Sequence, residues 1–160
     1  MKDKLTLLTF VLDQVWHALN VDEVQEVIPL PELTSLGDTP PFVSGVFNLR
    51  GHIVPAIDLR RRMGLKPLPW DVKTAVLIVR FQEKLYGLIV DEALSLITLS
   101  TQDTEVPPDF SPCMGSVQSP FVFRVGKLEG RLILILNLNR IFKVGEPRGL
   151  GDWHRQEDHR

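Results

Sequence analysis

The side chains that could support catalysis are few, and their spacing matches no known reaction. The four histidines are His17, His52, His154 and His159, and the single cysteine is Cys113. An enzyme would need a nucleophile beside a base, paired carboxylates or a metal cluster. His154 and His159 have no cysteine near them, which does not suit zinc. Phosphate-binding glycine motifs, GxSxG and HExxH are missing, so we predict no enzyme, no cofactor and no metal site.

The charged residues form two further patterns, an arginine run and two acidic pairs. Arg60, Arg61 and Arg62 make up the only basic run, which we interpret as a solvated turn. The acidic pairs at 22–23 and 91–92 lie in VDEV and VDEA, a short sequence that the chain uses twice. Because the pairs recur, we interpret them as structural turn residues.

Composition indicates one globular domain or two small units that share a core. The chain has 160 residues, of which 44 % are hydrophobic and 24 % are charged. Its net charge of −2 gives no basic footprint, so we predict no nucleic-acid partner. A single cysteine cannot form an internal disulfide, which suits a reducing cytoplasm. No apolar run approaches the roughly 20 residues of a membrane span, so we predict no membrane insertion.

The elements that would position these residues are short strands. Apolar, β-branched and aromatic runs alternate with turn residues, and almost no helical period is present. A helical turn is predicted at 137–142, capped by Asn137 or Asn139. The chain is therefore predicted to be all-β. The predicted strands cover residues 5–12, 15–21, 24–28, 42–49, 53–59, 75–81, 85–90, 93–99, 121–128 and 131–136.

An internal repeat organises these strands. Residues 41–64 align without a gap on residues 120–143 with eight identical positions, where composition alone gives about two. Five strands per copy suit two small barrels, and halves of this size must share a core. We predict a single domain at 1–145, made of subdomains at about 5–64 and 75–143. A polar tail follows at 146–160.

Positions where the two copies differ in charge cannot be required by a shared fold. Arg50 corresponds to Glu129, and Glu26 corresponds to Ser95 in the register of VDEV and VDEA. An Arg–Glu pair in a polar rim around apolar residues such as Val24 is a common way to build an interaction surface. The alternative is that both side chains are ordinary solvated charges.

The same segments resemble CheW-like proteins, the adaptors of bacterial chemosensory arrays. The resemblance covers residues 5–143 and is carried by VQEV at 24–27, NLRG at 48–51 and VPAIDLR at 54–60. It implies two intertwined five-stranded barrels of the Src-homology-3 type on a shared core. That expectation agrees with the repeat.

The resemblance also implies a function and a site. CheW-like adaptors join the cytoplasmic tip of a chemoreceptor to the regulatory domain of a CheA-type histidine kinase, without catalysis. Carried over by motif, the partner-binding residues are Glu26 and Arg50, with the apolar positions Val24 and Ala75 beside them. Ala75 is smaller than the usual branched residue, which predicts a shallower groove. The implied location is the cytoplasm, with recruitment to membrane-associated receptor arrays.

Two alternatives stay open beside the receptor–kinase adaptor. The same fold could serve pilus motility or another output instead of swimming, and the sequence does not choose between them. An oligonucleotide-binding barrel would need a basic, aromatic-rich strand face. The strands here are mixed in charge and Tyr86 is the only tyrosine, which disfavours that function.

Overall fold

The computed structural model describes residues 3–108 and 121–143, which form mainly strands. The prediction of an all-β chain with a few short helical turns is confirmed. Cys113, His154, His159 and the predicted tail at 146–160 lie outside the described residues. The strands are β1 Lys4–Leu12, β2 Val15–Asn20, β3 Val24–Pro29, β4 Val43–Leu49, β5 His52–Asp58, β6 Ala75–Phe81, β7 Lys84–Val90, β8 Glu92–Ser100, β9 Thr104–Glu105, β10 Val122–Leu128 and β11 Arg131–Leu136. The helices are α1 Leu59–Arg62 and α2 Leu138–Lys143, and 3-10 turns occur at Val21–Glu23 and Thr101–Asp103.

The strands assemble into two sheets that each draw on both copies of the repeat. Sheet A has the order β8-β1-β2-β11-β10-β9, and sheet B has the order β3-β6-β7-β5-β4. The parallel pair β2–β11 in sheet A has a counterpart in the parallel pair β5–β7 of sheet B. The predicted intertwining is therefore an exchange of strands between the copies, and the sheets do not coincide with the sequence halves. The two-residue strand β9 was not predicted.

Four hairpins are closed by two-residue turns in which both residues have positive φ. These turns lie at residues 13–14, 50–51, 82–83 and 129–130. Such turns follow the natural right-handed twist of the flanking strands. Arg50 itself has a φ of 48°, so its side chain projects from a tightly constrained tip.

The two sheets enclose a common apolar core, as the repeat predicted. Each sheet also has a smaller cluster of its own, which fits its curvature. Burial of these side chains drives the association of the sheets. The common core includes Leu8, Phe10, Leu12 and Leu19 from sheet A and Leu77, Val79 and Leu88 from sheet B.

The interpretation of the arginine run as a solvated turn is wrong for two of its three residues. Arg60 and Arg62 are buried, and only Arg61 is exposed. The run forms α1, whose first N–H groups are capped by the Asp58 carboxylate, 3.0 Å from the Arg60 nitrogen. A single helical turn can direct adjacent side chains to opposite sides, and sequence alone does not reveal this.

One residue of each acidic pair, Asp91 and Glu23, makes structural contacts. Asp91 accepts two hydrogen bonds from the Arg60 guanidinium, at 2.8 and 2.7 Å, and one from the Asp13 N–H at 2.9 Å. Burial opposes ionisation of Asp91, but these donors outweigh it and hold its pKa below the usual value. Glu23 accepts the Leu138 N–H at 3.2 Å, where α2 begins. Burial raises the pKa of Glu23.

Arg62 joins the two copies of the repeat. Its guanidinium carbon lies 5.1 Å from the ring centre of Phe42 and 5.0 Å from that of Phe121. These two phenylalanines occupy equivalent positions in the repeat. Its Nε also donates to the Ile141 carbonyl in α2 at 2.8 Å. Arg62 therefore acts as a buried cationic link between the halves.

His17 is a packed core residue. Its ring stacks on Phe10 with centroids 5.9 Å apart, and Nδ1 lies 2.9 Å from the Val15 carbonyl, to which it donates. Burial lowers the pKa of His17.

Candidate partner-binding site

Glu26 and Arg50 form an ion pair that spans the two edges of sheet B. Glu26 lies on edge strand β3, and Arg50 lies at the tip of the β4–β5 hairpin on the opposite edge. The guanidinium engages both carboxylate oxygens: Nη2 contacts Oε2, and Nη1 lies 3.4 Å from Oε1. Sheet B must therefore curl until its edges approach. Pairing of Thr34 with Val46 on β4 supports the same curvature.

The pair is accessible to a partner. The Arg50 side chain is 65 % exposed and that of Glu26 is 29 % exposed. The hydrogen bond to Glu26 raises the pKa of Arg50, which stays cationic. Exposed ion pairs add little to stability because water screens them. The pair is therefore expected to contribute little to stability.

The backbone of the hairpin holds Arg50 in place. The Asn48 side-chain oxygen accepts the Gly51 N–H at 2.8 Å and closes the turn from inside. Gly51 adopts a φ of 91°, which side chains rarely tolerate. Asn48 and Gly51 are thus structural.

The apolar residues predicted beside the pair are not brought together. Val24 lies at one end of the β3–β6 ladder, opposite Val79, and Ala75 lies at the other end, opposite Pro29. Val24 is half-buried and near Glu26, whereas Ala75 is only 8 % exposed. The partner-binding role of all four residues stays a prediction, and Ala75 offers a partner the least surface.

Ile53 is an apolar neighbour that sequence reasoning missed. It lies on β5 opposite Asn48, next to the Arg50 hairpin, and is 70 % exposed. Leu132, its equivalent in the repeat, is also exposed. The sequence could have revealed this residue, because both copies have an apolar residue at the equivalent position of the strand that follows the hairpin turn.

The second copy does not reproduce the ion pair. Glu129 occupies the tip of the β10–β11 hairpin and, within the described residues, forms no salt bridge. Ser95, the counterpart of Glu26, uses its backbone to bind the Thr9 hydroxyl, which donates to the Ser95 carbonyl at 2.8 Å. The Glu26–Arg50 ion pair therefore has no equivalent in the second copy.

Residues 3–108 and 121–143 contain neither a cluster of metal-ligating side chains nor a candidate membrane-spanning helix. In these ranges no three His, Cys, Asp or Glu side chains come together in a way that could hold a metal ion. Among the helices of the same ranges, none is long and apolar enough to cross a membrane.

A solved scaffolding protein shares this arrangement of two sheets that each combine strands from both copies around a common core. The crystal structure of the scaffolding protein TtCheW from Thermoanaerobacter tengcongensis matches with a TM-score of 0.79 and 29 % identity, covering 91 % of this chain and 97 % of that one. The CheW-like domain matches residues 6–146, and the chain belongs to the CheW-like family.

Curated relatives support the same family across most of their length. The chemotaxis protein CheW of Klebsiella aerogenes is 27 % identical over 139 residues, which cover 87 % of this chain and 82 % of the relative. The chemotaxis protein CheW of Bacillus subtilis is 28 % identical over 135 residues, covering 84 % and 85 % respectively. The resemblance inferred from the motifs is confirmed.

Proposed function

We propose that the chain is a non-catalytic adaptor that couples the cytoplasmic tip of chemoreceptors to the regulatory domain of a CheA-type histidine kinase. The observation that carries this proposal is the exposed Glu26–Arg50 ion pair, which only the first copy of the repeat possesses. Membership in a family of chemotaxis scaffolds supports it. In this proposal the chain works in the cytoplasm and is recruited to membrane-associated receptor arrays. The output could be swimming, pilus motility or another response.

The geometry suits a helical partner. A receptor tip built as a helical hairpin can lay an apolar face beside the ion pair, in the helix-in-groove mode. Val24 and Ile53 would supply apolar contact, and Ala75 a minor one. Glu26 and Arg50 would fix the register of the helix through charge-assisted hydrogen bonds. Such bonds strengthen when the partner excludes water.

Charge reversal at Arg50 tests this proposal. We expect R50E to weaken binding of the receptor-tip fragment, the kinase regulatory domain or both by about tenfold or more, because Glu26 and the new carboxylate repel each other. Binding is measured by isothermal titration calorimetry. The matched control is E129R, which reverses an exposed charge at the equivalent hairpin tip and should leave both affinities within about twofold.

The double variant E26R/R50E separates recognition from structure. It restores an ion pair with the charges exchanged. If the ion pair only holds the two edges of sheet B together, this variant binds the fragments as the wild type does. If a partner recognises the individual charges, binding of that fragment stays weak. Unchanged affinity of R50E for both fragments, with an unchanged unfolding midpoint, would refute the assignment.

A further inference from the structure

The loop between α1 and β6 places three large apolar side chains in water. Leu68 is 48 % exposed, Trp70 is 44 % exposed and Val72 is fully exposed. Isolated exposed apolar residues are common, but three within five residues, one of them tryptophan, are typical of an interaction surface. We refer to residues 66–73 as the apolar loop.

The start of the apolar loop is anchored to a buried arginine. The Leu65 N–H donates to the Arg60 carbonyl at 2.7 Å, and the Arg60 Nη1 donates to the Lys66 carbonyl at 2.7 Å. Pro67 and Pro69 then restrict the backbone φ angles of the segment. The direction in which the loop leaves α1 is therefore fixed.

The end of the apolar loop is closed by a hydrogen-bonded turn. The Asp71 carboxylate accepts the Lys73 N–H at 2.8 Å, and the Asp71 N–H donates to the Thr74 hydroxyl at 2.9 Å. The Thr74 N–H also donates to the Asp71 carbonyl, and Thr74 is buried. A loop held at both ends loses little conformational entropy when a partner covers it, which favours tight binding.

The charges of the loop indicate the kind of partner. Lys66 and Lys73 flank the apolar residues, are exposed, and form no ion pair within the described residues. They favour a surface with carboxylates at its rim. Asp71 lies among the apolar residues, and the chain has a net charge of −2, which disfavours an anionic membrane.

We propose that the apolar loop is a second docking surface, for a protein that presents an apolar pocket rimmed by carboxylates. The loop follows α1 at one end of β5, while Arg50 lies at the other end. The two ends of this seven-residue strand lie about 20 Å apart. An adaptor needs two separate surfaces to hold two proteins at once. This inference rests on the proposed function: the ion pair engages one partner and the apolar loop the other.

Substitution of Trp70 tests the inference, with the receptor-tip fragment and the kinase regulatory domain as probes. W70A is expected to weaken binding of one fragment by at least about tenfold, since exposed tryptophans that become covered dominate interfaces. The other fragment should bind within about twofold of wild type. It should also be the fragment that R50E weakens. The matched control is F123A, which removes an aromatic ring of similar exposure, 42 %, from β10 of sheet A.

Charge reversal of Lys66 and Lys73 provides a second test of the apolar loop. K66E/K73E should weaken the fragment that W70A weakens, and wild-type binding of that fragment should decline as salt rises. Co-sedimentation with vesicles of mixed neutral and anionic phospholipid tests the membrane directly. Vesicle binding by the wild type that W70A abolishes would overturn the protein-docking proposal in favour of a lipid surface.

The possible failures are distinguishable. If both fragments bind W70A as they bind wild type, the apolar loop is not a docking surface, while the proposed function stands. If R50E also weakens the fragment that W70A weakens, the loop is not a separate surface. If wild type binds neither fragment, the proposed function fails and this inference fails with it.

Discussion

Replacing Asp91 by alanine is expected to lower the free energy of unfolding by about 3 kcal/mol, because it leaves the buried Arg60 cation without its main partner. The Arg60 side chain is 8 % exposed and that of Asp91 is 29 % exposed, so water screens the pair only in part. Asp13, with Oδ1 3.5 Å from Arg60, compensates weakly. Urea denaturation at neutral pH measures the change.

Two further variants show whether the loss comes from the ion pair. Asp22 is the repeat counterpart of Asp91 but is exposed, so D22A should change the free energy of unfolding by less than about 0.5 kcal/mol. The double variant R60M/D91L removes both charges and should be less destabilised than D91A. A D91A protein as stable as D22A would contradict the role given to this pair.

Acid pH should weaken the ion pair between Arg60 and Asp91. The pKa of Asp91 is lower in the folded protein than in the unfolded chain, so its stabilising effect is fully present above the unfolded value of about 4. The effect is lost as the pH falls through the folded pKa. The free energy of unfolding of D91A should therefore decline less steeply in this acid range than that of wild type.

Replacing Arg62 by alanine is expected to cost about 3 kcal/mol of folding free energy. The change removes a cation held between two aromatic rings, leaves a cavity and deprives the Ile141 carbonyl of a donor. Arg62 is buried, so R62M, which keeps an apolar side chain at this position, should recover part of the loss. Thermal and urea unfolding both report the effect.

Arg61 supplies the control on the same helical turn. Its side chain is 47 % exposed and reaches Asp58 only at 3.8 Å. R61A should therefore change stability by less than about 0.5 kcal/mol. Equal unfolding midpoints for R62A and R61A would show that the aromatic contacts of Arg62 are not stabilising.

The local sequence pattern was enough to predict the strands, whereas the burial of the charged side chains depends on tertiary contacts. Strand 75–81 was predicted with its observed bounds because a run of apolar β-branched residues is specific for a buried strand. The burial of Arg60 and Arg62 escaped prediction because their partners lie 31 and 79 residues away. No local signal distinguishes such arginines from solvated ones.

Part of the candidate site could likewise be predicted from the sequence, and part of it could not. The two charges at 26 and 50 could be found by comparing the copies, and the structure brings them into contact. The separation of Val24 from Ala75 could not be foreseen, because it depends on the register of β3 against β6 and on the bulge between Val24 and Glu26. The exposure of Trp70 depends on how its loop is anchored, which composition does not reveal.

The exchange of strands between the two copies constrains the order in which the protein can fold. Thr9 of β1 binds Ser95 of β8 across 86 residues of chain, and β8 is the outer neighbour of β1 in sheet A. At a synthesis rate of about 10 residues per second, β1 emerges from the ribosome about 9 seconds before its neighbour. Sheet B, from β3 to β7, is contiguous in sequence and can form first. Until β8 is made, the edge of β1 that β8 covers has no strand partner, and an unpaired edge favours aggregation of the nascent chain.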